Sequence, residues 1–103
     1  MILYHASPVA NRQGIEEGGL QTKFARSKRK RIWLHAYDRR RWAIKHVSER
    51  HGVTEWLIDV YAVKVGSGDV RKWRTGLYYV EVDIPAVDVR PDGGAIIDRN
   101  GRG

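Results

Sequence analysis

Apolar and polar positions along the 103-residue chain change period several times, and each change marks an element. Ile2-Leu3-Tyr4 is a short β-favouring run. Ser7-Pro8 is a helix-start signal and Gly18-Gly19 a stop, so His5 falls where a strand gives way to a helix. Pro8 to Glu17 reads as a short helix capped by Ser7, with Val9, Ala10 and Ile15 inward and Leu20 folding back onto its end. Gln21 to Arg31 is polar, basic and poorly periodic, and reads as a loop. Ile32 to Ala36 is apolar and aromatic, which predicts a second strand. Asp38 as N-cap and Gly52 as stop bound a helix from Arg39 to His51. On it the pairs Trp42/His46 and Ala43/Val47 are each four apart, with Ile44 three before Val47, on an apolar face.

From Val53 onward the pattern turns to β. Trp56 to Val65 is a β-rich run followed by a turn at Gly66-Ser67-Gly68-Asp69. Val70 to Thr75 is a basic connector. Leu77 to Ile84 predicts a half-buried strand, with Tyr79, Glu81 and Asp83 on one face and Val80, Val82 and Ile84 on the other. Pro85 ends it, Val87-Asp88-Val89 is a brief further strand, and Pro91-Asp92-Gly93-Gly94 is a turn. Ala95-Ile96-Ile97 closes the pattern as a last strand before a polar tail, Asp98 to Gly103, expected to be flexible. With no internal repeat or linker, the order of elements predicts a single α+β domain over residues 1–103.

Composition narrows the chemistry. Hydrophobic residues make up 42% of the chain, with four tryptophans and five tyrosines, enough to fill a core. There is no cysteine, hence no disulfide and no thiolate nucleophile. His5, His35, His46 and His51 lack metalloprotease-type spacing, so no metal site is expected. No apolar run approaches a membrane span, and MILYHASPV does not read as a signal peptide; the expectation is a cytoplasmic protein with no membrane partner.

Charge changes the picture more. Residues 1–52 carry twelve Lys and Arg against four Asp and Glu, and residues 53–103 seven against eight. The net charge of +7 is therefore concentrated in the first half. Lys28, Arg29, Lys30 and Arg31 stand in one cluster and Arg39, Arg40 and Arg41 in another, with Trp33, His35 and Tyr37 between. Segregated positive charge interleaved with rings suits a polyanion, a nucleic acid or the pyrophosphate of a dinucleotide. Three arginines in a helix's first turn oppose its dipole, which a bound anion would relieve. An acidic protein partner is the other occupant this charge allows.

Leu3-Tyr4-His5, a helix containing Asn11 and Ile15, then Gly19-Leu20, a variable loop, and Ile32-Trp33-Leu34 leading to a helix together resemble the ADP-ribosyltransferase-like fold. The match is to its histidine-first branch and the related RNA 2′-phosphotransferases. The resemblance covers the first half well and Val80 to Pro85 loosely. It implies small split sheets, antiparallel or mixed, with two short helices and a cleft between the sheets that holds NAD as substrate. It also implies that His5 bonds a ribose, flanked by Tyr4 and Ser7, and that Trp33, His35 or Trp42 meets the nicotinamide. The implied function is an NAD-utilising transferase, by ADP-ribosyl transfer or 2′-phosphotransferase-type chemistry, acting on a nucleic acid. His5, His35 and Glu81 are the catalytic candidates. The pattern departs at one point: the late glutamate usual in transferases is missing near Gly94-Ala95-Ile96, and Glu81 is the only glutamate after Glu55. The alternatives are a basic nucleic-acid-binding module of the same fold without chemistry, and a small basic inhibitor or adaptor that binds an acidic protein partner.

Overall fold

The computed structural model describes residues 1–25 and 29–97. Strands β1 (Ile2–Pro8), β2 (Ile32–His35), β3 (Ile58–Lys64), β4 (Arg71–Arg74), β5 (Leu77–Val80) and β6 (Val89–Gly94) form an antiparallel sheet. Its order is β4-β5-β2-β1-β3-β6. Helices α1 (Arg12–Gly18) and α2 (Arg40–His51) pack on opposite faces, and residues 95–97 add a helical turn.

Alternation along β1 dictates those two faces. Leu3 points to one side and, with Leu34, Tyr61, Val63 and Val80, forms the main core, which Ile15 of α1 and Leu20 and Ile84 close. Ala6 points to the other side, where Ala43 of α2 and Ile58 meet it, with Ile44 and Val47 packed around them. The class is α+β, as its sequence predicts. The split into separate sheets takes another form: the sheet is continuous, and β1 and β2 meet at the single pair Tyr4 and His35. By contrast β1 pairs with β3 from Ile2 opposite Lys64 to Pro8 opposite Ile58.

Several boundaries differ from the pattern-based reading, each for a local reason. Pro8 is extended and ends β1, so a 3-10 turn at Val9–Asn11 precedes α1. The Ser7 hydroxyl does not cap the helix but accepts a hydrogen bond from Asn11 Nδ2 at 3.1 Å. Asp38 likewise sits inside a 3-10 turn, and α2 starts at Arg40 without a side-chain cap. The basic connector is strand β4, folded onto β5 through Thr75-Gly76, where Gly76 has φ 77°. The strand expected to reach Ile84 stops at Val80, and Ile84 instead forms an isolated bridge with Leu20. Beside that bridge Gly19 has φ 73°, and a Cβ there would collide with the Ile84 carbonyl, so only glycine lets the two segments meet. Pro91 to Gly94, read as a turn, belongs to β6. As an edge strand, β6 tolerates a proline that donates no ladder bond. The expected last strand at Ala95 to Ile97 is the helical turn, and Asp98 to Gly103 lie outside the described residues.

One buried ion pair ties the α1 side to the sheet. Asp59 on β3 is fully buried and receives Arg12 in a bidentate contact, Nε at 2.9 Å and Nη2 at 2.8 Å. The Tyr61 hydroxyl donates to the same carboxylate at 3.3 Å, and burial, with the Asp59 anion adding to it, pushes its pKa up. Removing one partner strands the other charge in the interior. Arg12→Leu is therefore expected to cost roughly 3–5 kcal/mol of a total near 5–15 kcal/mol, and Arg12→Leu/Asp59→Asn to recover part of it. Urea unfolding of the two variants measures this; a double variant no more stable than Arg12→Leu would mean that Arg12→Leu leaves no uncompensated buried charge.

Candidate functional site

Because β1 and β2 share one pair, they diverge beyond it, and the gap opens into a cleft of about 1100 Å³. One wall is His5 to Pro8 with Asn11, Gly14 and Ile15 behind them, and the other is Arg31 to His35. The α2 residues Trp42, His46 and Arg50 and the hairpin residues Trp73 and Arg74 complete it.

His5 stands at the point of divergence. Its Nδ1 lies 2.8 Å from the Trp33 carbonyl, which can only accept, so Nδ1 carries the proton and a neutral ring leaves Nε2 as an acceptor. Burial lowers the His5 pKa, and the carbonyl bond opposes this only in part. His35, opposite Tyr4, is 3% exposed, and its Nε2 has no hydrogen-bond partner. Burial pushes its pKa down to about 4, with His5 and Arg40 adding to the effect. Two neutral imidazoles thus line the cleft at neutral pH.

The remaining lining is aromatic and cationic. Trp42 stacks on His46 at 4.8 Å with 8° between the planes, and Trp33 meets Trp73 at 5.4 Å. Arg31, Arg50 and Arg74 bring positive charge from three separate elements, and among the described lining residues there is no aspartate or glutamate. Such a cavity attracts a ligand with planar rings and negative charge.

The expected site residues divide accordingly. His5, Ser7, Trp33, His35, Trp42 and Arg31 are brought together in the cleft. Tyr4 is not: alternation turns it to the other face of β1, against His35 and Tyr37 and beneath Arg40. Glu81 stands exposed just past β5, its carboxylate 3.9 Å from Arg31 Nε, and does not line the cleft. Arg29 and Lys30 are exposed outside it, Lys30 donating to the Ala25 carbonyl at 3.2 Å, and Lys28 lies outside the described residues. Arg39, Arg40 and Arg41 are also outside the lining. Arg40 pairs with Asp92 of β6 and covers the Tyr37 ring at 4.4 Å, so it fastens the start of α2 to the sheet edge. Arg39 lies across Gly76.

Sequence reasoning missed Arg50, Arg74 and the two later histidines, His46 and His51, all of which line the cleft. Trp42, His46 and Arg50 recur every four residues, which puts them on one stripe of α2 and was open to detection. Arg74 carried no such signal, because it reaches the cleft only through pairing of β4, β5 and β2. Among the described residues no group of three metal-ligating side chains occurs, and no helix is long and apolar enough to cross a membrane. No protein-family model matches the chain, and a search of curated proteins finds no relative.

The lowered His35 pKa makes stability depend on pH. An unfolded histidine binds its proton near 6.5 and His35 near 4, so the unfolded state holds more protons between those values and stability rises with pH there. The contribution is complete above about pH 6.5 and is lost as pH falls to about 4, at most about 3 kcal/mol, with His5 acting in the same direction. Chemical denaturation at pH 7.5, 5.5 and 4 is expected to show this decline, and His35→Gln to make it shallower. An unchanged slope in that variant would assign the decline to other groups.

Proposed function

We propose that this protein is an NAD-utilising transferase of the ADP-ribosyltransferase-like fold, acting on a phosphate-bearing end of a nucleic acid. The observation that carries the reading is the divergence of β1 and β2 around His5, into a cleft lined by rings and three arginines. His5, held by the Trp33 carbonyl, offers Nε2 to a ribose hydroxyl. Trp33, or the stacked Trp42 and His46, offers a ring face to nicotinamide or adenine, while Arg31, Arg50 and Arg74 hold phosphate.

The absence of a carboxylate among the described lining residues favours 2′-phosphotransferase-type chemistry over direct ADP-ribosyl transfer. As the glycosidic bond breaks, its electron pair leaves with nicotinamide and positive charge grows on the ribose carbon. A transferase using a neutral acceptor needs a protein carboxylate to stabilise that charge. A phosphate acceptor brings its own: one of its ionised oxygens bonds to the ribose carbon as nicotinamide departs, and no proton has to be removed first. The arginines then orient an anionic nucleophile.

The same lack of a carboxylate favours a second reading, a nucleic-acid-binding module without chemistry. Purified protein titrated with NAD, following tryptophan fluorescence and released nicotinamide with and without 2′-phosphorylated single-stranded RNA, separates the two. Quenching by NAD is expected, with nicotinamide released only when the phosphorylated RNA is present. His5→Ala is expected to lower that release roughly hundredfold or more through lost positioning, with an unchanged melting curve. An unchanged rate in His5→Ala would remove the residue from the mechanism. RNA binding with no response to NAD would leave the binding module.

A further inference from the structure

α2 packs on β1 and β3, while on the same face β2, β5 and β4 carry a row of partly exposed aromatic residues. Trp33 lies opposite Tyr79 in the β2-β5 register, and Tyr79 lies opposite Arg71 in the β5-β4 register, so all three side chains stand on one face. The Trp33 ring is 5.3 Å from Tyr79 and 5.4 Å from Trp73, which is about half exposed. Guanidinium groups lie over these rings: Arg31 is 4.0 Å from the Tyr79 ring centre and Arg74 is 4.2 Å from that of Trp73. Arg71 is exposed beside them, with Nη1 3.1 Å from the Gly68 carbonyl.

We infer that this open face of β2, β5 and β4 is a docking surface for a single strand of nucleic acid, separate from the cleft but continuous with it. Ring faces and guanidinium planes accept unpaired bases by stacking, and the same arginines neutralise the phosphates between them. A duplex hides its base faces, and the carboxylates of an acidic peptide would pair with the arginines but leave the ring faces without a stacking partner. Charge complementarity favours the same occupant, since Arg31, Arg71 and Arg74 bring three cations to one face beside the rings. Continuity comes from Trp33, Trp73, Arg31 and Arg74, which border both the face and the cleft. A strand lying across the hairpin would therefore deliver its end to His5. This rests on the nucleic-acid acceptor of the proposed function and adds the surface that selects it.

Fluorescence anisotropy with a labelled 12-nucleotide single-stranded RNA, its DNA equivalent, the matching duplex and polyglutamate tests the surface on the full chain. Neither Tyr79 nor Arg71 lines the cleft; Tyr79 touches the cleft residues Trp33 and Arg31, so the exposed Arg71 is the variant that probes the face alone. Single strands are expected to bind in preference to the duplex and to resist competition by polyglutamate. Tyr79→Leu, which keeps bulk but removes the ring, is expected to weaken binding roughly fivefold or more. Arg71→Glu, on an exposed edge strand, is expected to weaken it and to flatten its salt dependence, and remains decisive if Tyr79→Leu melts early. Equal affinity for the duplex, displacement by polyglutamate, or wild-type binding by a folded Arg71→Glu would overturn the inference. NAD titration of the same samples keeps the two ideas apart. Ring-dependent strand binding without an NAD response removes the transferase reading and leaves the surface, whereas nicotinamide release with wild-type RNA affinity in both variants does the reverse.

Discussion

The constraint on which the architecture turns is the single pairing of Tyr4 with His35. β1 is paired with β3 along its length, and β2 is paired with β5 from Ile32 to His35, so each strand is fixed to a different half of the sheet. Beyond the shared pair the strands separate, and the edge of β1 from Ala6 onward faces a cavity instead of a ladder. Backbone polar groups left open in this way need water or a ligand. The contact from His5 Nδ1 to the Trp33 carbonyl is one stitch across the gap. It fixes the ring in one tautomer, and so the bond that satisfies a stray carbonyl also aims Nε2.

Charge in the described part of the molecule is sorted by what each carboxylate is used for. Asp59 holds Arg12, Asp92 holds Arg40, and Asp83 accepts both the Thr22 amide and hydroxyl, at 2.8 and 2.9 Å. Those two bonds draw the Asp83 pKa down, and the contact anchors the start of the basic loop. Each acid serves a scaffold junction away from the cleft. The arginines that line the cleft come from three separate elements, and one of them, Arg31, also has Glu81 3.9 Å from its Nε.

How much of this was legible depends on the range of the interaction that decides it. β1, β2, α2 and β3 are specified by local apolar patterns and by stops such as Gly52, which is left-handed at the end of α2, and the sequence reveals them to within a few residues. The sequence reads His5 as ending a strand, but β1 runs on to Pro8 and His5 lies within it opposite Tyr61; its place at the cleft comes from the parting of β1 and β2 after Tyr4 and His35. The hairpin of β4 and β5 was half seen because Arg71 to Arg74 has the composition of a loop and becomes a strand only when Tyr78 and Tyr79 pair with it. Arg39 to Arg41 misled for a different reason. A run of like charge reports a local field, but the direction of each side chain is set by partners far along the chain, here Asp92 for Arg40.

The same distinction separates the two halves of the candidate site. The neutral imidazoles are products of burial, which follows from the apolar pattern; His35 is depressed because it sits between core residues, whatever the ligand, while the exposed Trp42 and His46 stack through their four-residue spacing on α2. The cations are products of topology, since Arg31, Arg50 and Arg74 come from a loop, a helix and an edge strand that meet only after the sheet has formed. A cavity assembled in this order has a neutral, preorganised floor and a charged rim. That division suits a ligand whose rings must be fixed in place while its phosphates are held by side chains long enough to follow them.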